Sequence, residues 1–220
     1  MTETAGNDRP RITLGGPAPD FEQNSTHGPV KLSQFTQKGK WVVLFSHPAD
    51  FTPVCTTEFV GFAKLTPEFE KRNVQLVGLS IDSVYSHIAW TRNIEETFNV
   101  KVAFPVLADL DQRVAQLYGM VHQPMNATMT VRCVFVIDPK QNVRAMIYYP
   151  MQAGRNMDEI LRLVDALQTV DANACATPAN WKKGDEVIVP APATHAASRE
   201  RDTDKALNVK QWYLATKPLK

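Results

Sequence analysis

Residues 41–58 read WVVLFSHPADFTPVCTTE, and this stretch decides the fold. Its apolar start, Trp41 to Phe45, predicts a strand that is buried on both faces. Two prolines and an aspartate then end the strand, because proline has no N–H for the sheet and fixes φ. The following apolar residues share one helical face: Phe59, Phe62, Ala63 and Phe69. The stretch therefore predicts a strand, a tight loop and a helix, with Cys55 in the first helical turn.

The first turn of a helix is where a cysteine becomes reactive. Unpaired N–H groups and the positive end of the helix dipole favour a thiolate over a thiol. The alternative is that Cys55 is a small buried apolar side chain. Thr52 has a hydroxyl able to hydrogen-bond a thiolate or a bound oxygen, and Pro48 stiffens the loop that holds it.

The spacing Pro48-x-x-x-Thr52-x-x-Cys55 resembles the active-site motif of the peroxiredoxins, the alkyl hydroperoxide reductase/thiol-specific antioxidant family. The wider stretch from Val42 to Glu58, with His47 before the proline, resembles the one-cysteine, peroxiredoxin 6-like branch. The resemblance extends from about Leu14 to the C-terminus. It implies a peroxidase that reduces hydrogen peroxide and organic hydroperoxides, with Cys55 as the peroxidatic thiolate and a sulfenic acid as its product.

Strands and helices alternate along the chain and are followed by a hairpin and a helix, which predicts an α/β domain of thioredoxin-like type over residues 12–170. Composition changes after Val170, and residues 171–220 resemble the C-terminal extension of one-cysteine peroxiredoxins, which in that family helps to form the dimer and covers the active site. The first helix is predicted to end near Arg72. After it, the sequence predicts strands at 74–80, 127–137, 143–149 and 186–189. It also predicts helices at 84–97, 112–118 and 156–170. Residues 204–214 are either a strand or a segment that faces a partner.

The peroxide reaction also requires positive charge near the sulfur, and the resemblance assigns it to Arg132. An arginine inside the apolar strand 127–137 is costly unless it is paired, and facing a thiolate would pair it. The alternative is that Arg132 points to solvent from an edge strand.

Three further side chains are supporting candidates by the same resemblance. Glu58, one turn after Cys55, would orient Arg132 or a neighbour; otherwise it is a solvated acid near the helix start. Arg155 matches a second family arginine near the site; otherwise it is an exposed loop cation. His47 would donate to the thiolate or contact the sulfenic acid. The other histidines, His87 among them, have no evident partners in the sequence.

The three cysteines do not make a closed disulfide framework, since their number is odd. Strand alternation sends Cys133 to the face opposite Arg132, which predicts a packing role. The sulfenic acid is expected to be reduced by an external thiol such as thioredoxin or glutathione. A two-cysteine cycle, with Cys175 as the resolving thiol, is the alternative.

Other function classes find less support. A formal net charge of +1 gives no electrostatic basis for binding nucleic acid or an anionic membrane. Neither a metal nor another cofactor is expected, because no Cys-x-x-Cys and no Cys/His cluster has metal-ligand spacing. The missing Cys-x-x-Cys also disfavours thiol–disulfide exchange, and a redox sensor or chaperone remains a further alternative.

Residues 1–10 are polar and acidic, unlike a signal peptide, and Met1 to Arg11 is expected to be a loose leader, so the cytoplasm is the expected location. The resemblance implies a homodimer or a ring of dimers.

Overall fold

The computed structural model describes residues 12–219. The predicted leader, Met1 to Arg11, lies outside the described residues, as do the residues from which the cytoplasmic location was predicted. The described chain divides into two compact units after Met157. The domain boundary between residues 170 and 171 stays a prediction.

One sheet organises the first unit, and the chain alternates between its strands and the helices that cover it. The strands are β1 (Glu22–Ser25), β2 (Gly28–Lys31), β3 (Trp41–Ser46), β4 (Val74–Ser80), β5 (Val106–Ala108), β6 (Arg132–Ile137) and β7 (Val143–Tyr149). The helices of this unit are α1 (Ser33–Thr36), α2 (Pro53–Lys71), α3 (Val84–Phe98) and α4 (Arg113–Leu117).

The sheet has seven strands in the order β2-β1-β5-β4-β3-β6-β7. β3 runs parallel to β4, with Trp41 opposite Val74, and antiparallel to β6, with Val42 opposite Ile137. All six residues of β3 are buried, as expected for a strand covered on both faces. The predicted α/β class is confirmed.

Side-chain alternation along β3 divides the core between the two faces of the sheet. Leu44 belongs to the cluster that also contains Phe135 of β6. The ring of Phe45 points the other way and stacks on Phe62 of α2, with 4.0 Å between ring centroids. Phe59 and Phe104 pack edge-on against Phe45 at 5.7 and 5.6 Å. This aromatic cluster holds α2, and with it Cys55, against the central strand.

The second unit contains most of α5 (Met157–Asn173) and the elements β8 (Val187–Ile188), α6 (His195–Asp202), β9 (Asn208–Gln211) and β10 (Leu214–Lys217). Its strands pair in the order β8-β10-β9. Its small core contains Ala166, Cys175, Trp181 and Val187, with Leu219 packed against them. Within residues 12–219, none of the helices is long and apolar enough to cross a membrane.

The predicted strand at 127–137 was too long, because β6 begins only at Arg132. Asn126 explains the difference, since its Oδ1 accepts hydrogen bonds from the amides of Thr128 and Met129. Those bonds form a turn rather than a strand ladder. The undecided segment 204–214 contains β9, which pairs with β10 as a hairpin. Helix α6 was not predicted.

Candidate active site

The connection between β3 and α2 sets the position of Cys55. Phe51 has a left-handed φ of 53°, and Thr52 then returns to an extended conformation as the residue before the helix. Pro53 opens α2, where its missing N–H removes no helical hydrogen bond. Cys55 therefore lies in the first turn, among backbone N–H groups that have no helical acceptor.

A buried arginine faces the sulfur of Cys55. Arg132 is the first residue of β6, and its Nη1 donates to Cys55 Sγ at 3.3 Å. Its Nε donates to the carbonyl oxygen of Met151 at 2.9 Å, which fixes the plane of the guanidinium. Cys55 is 0% exposed and Arg132 is 3% exposed. Of the two orientations considered for Arg132, the structure has the one that faces the cysteine.

Glu58 binds two arginines with one carboxylate. Its Oε2 accepts from Arg132 Nη1 at 2.7 Å and from Arg155 Nη2 at 2.7 Å. Its Oε1 accepts from the backbone N and the Nε of Arg155 at 2.8 and 2.9 Å. The side chain is only 2% exposed. Glu58 is therefore the centre of a buried ion-pair network, not a solvated acid.

Arg155 lies in the loop between β7 and α5 and is fully buried. Besides its bonds to Glu58, its Nη1 donates to the carbonyl oxygen of Cys133 at 3.0 Å. Its guanidinium lies over the rings of Phe45 and Phe62 at 5.4 and 5.5 Å from their centroids. Such stacking suits the weakly hydrated, planar guanidinium. Arg155 is not an exposed loop cation.

The two arginines keep Glu58 ionised. Burial by itself would raise the pKa of this carboxyl group. The charge and hydrogen bonds of Arg155, together with the charge of Arg132, outweigh burial and hold the pKa of Glu58 below its usual value. The carboxylate is thus a fixed negative charge that orients the guanidinium facing Cys55.

The hydroxyl of Thr52 has a different partner from the one expected. Its Oγ1 donates to the carbonyl oxygen of Ala49 at 2.9 Å, so its hydrogen is committed within the loop. The oxygen of Thr52 keeps lone pairs that can accept a hydrogen bond from a bound molecule. Pro48 is buried one residue before Ala49. These contacts stiffen the loop that leads into α2.

His47 directs its Nε2 atom to Asp50 rather than to the sulfur. The distance from His47 Nε2 to Asp50 Oδ1 is 2.9 Å, and both side chains are buried. The ring packs against Phe59 and Trp90, with centroids 4.7 and 5.1 Å apart. The ring of His47 is therefore packed between aromatic side chains of α2 and α3.

The prediction that His87 has no partners was wrong. Its Nδ1 lies 2.8 Å from Asp50 Oδ2. Sequence reasoning missed both His87 and Asp50, although His87 precedes the buried Trp90 by three residues and Ile94 by seven on α3. That spacing puts His87 on the buried face of the helix.

His47, Asp50 and His87 offer ligand atoms within 4.8 Å of one another, a grouping able to hold a metal ion. Their N···O contacts of 2.8 and 2.9 Å are the lengths of hydrogen bonds. A zinc ion would lie about 2 Å from each ligand atom and spread these atoms further apart. In this structure the three side chains form a hydrogen-bond network.

The other two cysteines have different surroundings. Cys133 Sγ lies 2.9 Å from Ser46 Oγ, on the sheet face opposite Arg132. Burial raises the pKa of the Cys133 thiol to about 11, so this thiol is not a nucleophile at neutral pH. Cys175 packs in the core of the second unit. All three cysteines, which lie in the described part of the chain, are free.

The arrangement suits attack by sulfur on a bond whose leaving atom takes up negative charge. A helix start and a guanidinium act on the sulfur of Cys55, and both stabilise negative charge. The same N–H donors can stabilise charge that develops on a leaving oxygen.

Comparison with known proteins agrees with the geometry. The AhpC/TSA family profile matches residues 14–146, and the profile of the C-terminal domain of 1-Cys peroxiredoxin matches residues 166–203. The chain is 51% identical over 212 residues to peroxiredoxin 2 of Caldanaerobacter subterraneus, covering 94% of this chain and 95% of the relative. It is 53% identical over 214 residues to a peroxiredoxin of Aquifex aeolicus, covering 93% and 96%.

Solved structures give the same result. The yeast mitochondrial 1-Cys peroxiredoxin is similar with a TM-score of 0.84 and 41% identity, covering 94% of this chain and 100% of that one. A cysteine-to-serine mutant of peroxiredoxin 6 of Arenicola marina has a TM-score of 0.83 and 36% identity, covering 94% and 98%. These likenesses confirm the predicted thioredoxin-like fold.

The ion-pair network predicts a pH-dependent stability. Replacing Glu58 by Gln leaves two buried guanidiniums without their carboxylate and should lower the free energy of unfolding by about 3–5 kcal/mol near neutral pH. Because the folded pKa of Glu58 is lowered, its contribution is complete above the unfolded pKa of about 4.3 and is lost as pH falls through the folded pKa. Urea unfolding of both proteins across this pH range measures the difference.

Glu70→Gln is the matched control, since Glu70 is exposed on the same helix. It should leave the free energy of unfolding nearly unchanged. A Glu58→Gln effect that is under about 1 kcal/mol, as at a surface ion pair, would contradict the network. So would an effect that does not shrink at acid pH.

Proposed function

The chain belongs to the AhpC/TSA family and is a peroxiredoxin, a thiol-dependent peroxidase, and we propose that it reduces hydrogen peroxide and organic hydroperoxides through a sulfenic acid on Cys55. One observation carries the assignment to Cys55. Arg132 Nη1 donates to its sulfur at 3.3 Å, in the first turn of α2. Neither Cys133 nor Cys175 has an arginine donor on its sulfur among the described contacts.

The proposed step is an in-line displacement. The Cys55 thiolate attacks one oxygen of R–O–O–H, so that an S–O bond forms while the O–O bond breaks. Sulfur is oxidised to the sulfenic acid, and the other oxygen leaves with the electron pair. A proton, equivalent to the one that the thiol released, converts the leaving group to water or an alcohol. The developing negative charge lies where Arg132 and the first-turn N–H groups can stabilise it.

The remaining site residues position Cys55, Arg132 and the bound peroxide. Glu58 orients Arg132, and Arg155 holds Glu58 through both carboxylate oxygens. Thr52 presents an oxygen lone pair to a bound peroxide, while Pro48 and the bond to Ala49 keep its loop in place. His47 packs on the rings of Phe59 and Trp90 beside the helix that carries Cys55.

For the return to thiol we favour an external reductant such as glutathione or thioredoxin. An incoming thiol would attack the sulfenic sulfur, release water and form a mixed disulfide, which a second thiol would reduce. Support comes from the match to the 1-Cys C-terminal domain and from the yeast relative, whose thiol is resolved via glutathione/thioredoxin systems. The alternative remains a cycle in which Cys175 forms a disulfide with Cys55.

We further propose a homodimer or a ring of dimers, from the resemblance to the family. A reducing compartment such as the cytoplasm fits three free thiols.

Cys55→Ser should abolish hydroperoxide consumption in the presence of a thiol donor, because a serine hydroxyl is not ionised at neutral pH. Cys133→Ser is the matched control, since it makes the same change at a buried cysteine on the other face of the sheet. It should keep the peroxidase rate. Activity retained by Cys55→Ser would refute the proposed function.

Intact-mass measurement after one equivalent of peroxide, without a thiol donor, separates the two cycles. The one-cysteine cycle predicts that the chain gains one oxygen atom, and that Cys175→Ser gives the same product in the same yield. Loss of two hydrogens in the natural protein, absent from Cys175→Ser, would instead establish Cys175 as the resolving thiol.

A further inference from the structure

Three titratable side chains meet beside the Cys55 loop. His47 and Asp50 belong to the connection between β3 and α2, and His87 belongs to α3. Their side chains are 0%, 1% and 0% exposed. Each proton in this group therefore has a fixed place, which the hydrogen-bond geometry defines.

His87 has an acceptor on each side of its ring. Its Nε2 lies 3.1 Å from the carbonyl oxygen of Leu107, which can only accept, so Nε2 carries a hydrogen. Its Nδ1 lies 2.8 Å from Asp50 Oδ2, and one hydrogen must lie between these two atoms. The pair is therefore either an imidazolium with a carboxylate or a neutral imidazole with a carboxylic acid.

The surroundings favour the imidazolium. Asp50 Oδ1 also receives the bond from His47 Nε2. Asp82 adds a second carboxylate, because its Oδ2 accepts from the Asp50 amide at 3.0 Å and from Ser80 Oγ at 2.5 Å. Burial alone would raise the pKa of Asp50, but the bonds from His47 and His87 outweigh it and hold the pKa well below its usual range.

This assignment fixes the form of His47. A carboxylate at Asp50 requires that His47 Nε2 carries a hydrogen. Among the described residues no group hydrogen-bonds to the other nitrogen, Nδ1. Burial chiefly lowers the pKa of His47, against the opposing effect of Asp50, so the ring is neutral and Nδ1 keeps its lone pair.

The ring of His47 lies next to the part of α2 that carries the sulfur. It packs on Phe59, one turn after Cys55 on the same helical face. Aromatic side chains on a helix lean toward its N-terminus, which brings the Phe59 ring toward the level of Cys55.

We propose that Asp50 and His87 are positioning residues, a buried carboxylate–imidazolium pair that holds His47 as the Nε2–H tautomer with a basic, unprotonated Nδ1 near Cys55. A carboxylate on one ring nitrogen makes the other a better acceptor. The Nδ1 lone pair is then available to the hydroxyl hydrogen that the displacement leaves on sulfur. The expected effect on the rate of Cys55 oxidation rests on the proposed function. The protonation pattern of the two histidines does not.

The protonation pattern is measured directly by ¹⁵N NMR of the full chain labelled in its five histidines, each assigned with a single His→Gln variant. Near neutral pH, His87 should have hydrogens on both ring nitrogens, and His47 on Nε2 only. A neutral His87, or a hydrogen on His47 Nδ1, would overturn the proposal.

Asp50→Asn tests the same pair with no loss of contacts. The amide NH₂ can donate to His87 Nδ1 while the amide oxygen accepts from His47 Nε2. His87 should therefore become neutral, His47 should keep its tautomer, and oxidation of Cys55 by peroxide should slow roughly tenfold, because a hydrogen bond to a charged group becomes a neutral one.

The outcomes separate the possible failures. A His87 that is neutral in both proteins means that Asp50 already carries the proton, and a His87 that stays doubly protonated in Asp50→Asn means that the carboxylate does not hold its charge; either result overturns the pair. An unchanged oxidation rate rejects the positioning role. Asp111→Asn, at an exposed aspartate outside the network, is the control and should change neither. If Cys55→Ser retains peroxidase activity, the proposed function fails while the histidine spectra still test the protonation pattern.

Discussion

The site depends on one buried carboxylate between two guanidiniums. Glu58 contacts Arg132 and Arg155, and each of the three side chains would be costly to bury alone. Glu58 comes from the helix that carries Cys55, Arg132 from the neighbouring sheet and Arg155 from a distant loop. Their hydrogen bonds therefore join three segments of the chain at the sulfur. Removing Glu58 would leave two buried guanidiniums without their carboxylate.

Charge balance links this structural role to the chemistry. Two arginines face one carboxylate, so the network has one positive charge left, and it lies against Cys55 Sγ. A thiolate at Cys55 makes the group neutral as a whole. The aromatic rings of Phe45 and Phe62 surround Arg155 and keep water away, which strengthens the electrostatic interactions inside. The side chains that stabilise the fold thus also place a positive charge against the sulfur.

Much of this arrangement is readable from the sequence, because local pattern determines it. The run at 41–46, the two prolines and the apolar face of α2 predict the strand, the loop and the position of Cys55 within a residue or two. Alternation along β6 separates Arg132 from Cys133. His87 and Asp50 are different, since each looks ordinary in its own segment and they meet only when α3 packs beside the loop. The late start of β6 likewise depends on one side-chain turn at Asn126, which propensity does not reveal.

The central claim is that the charge of Arg132 activates Cys55. Stopped-flow measurement of Cys55 oxidation by hydrogen peroxide, in the natural protein and in Arg132→Gln, tests it most directly. Glutamine keeps a donor but removes the charge, and the second-order rate constant should fall by about a hundredfold or more. Arg144→Gln, at an arginine on β7 that pairs with Asp138, should leave the rate nearly unchanged. An Arg132→Gln rate equal to that of the natural protein would contradict the account.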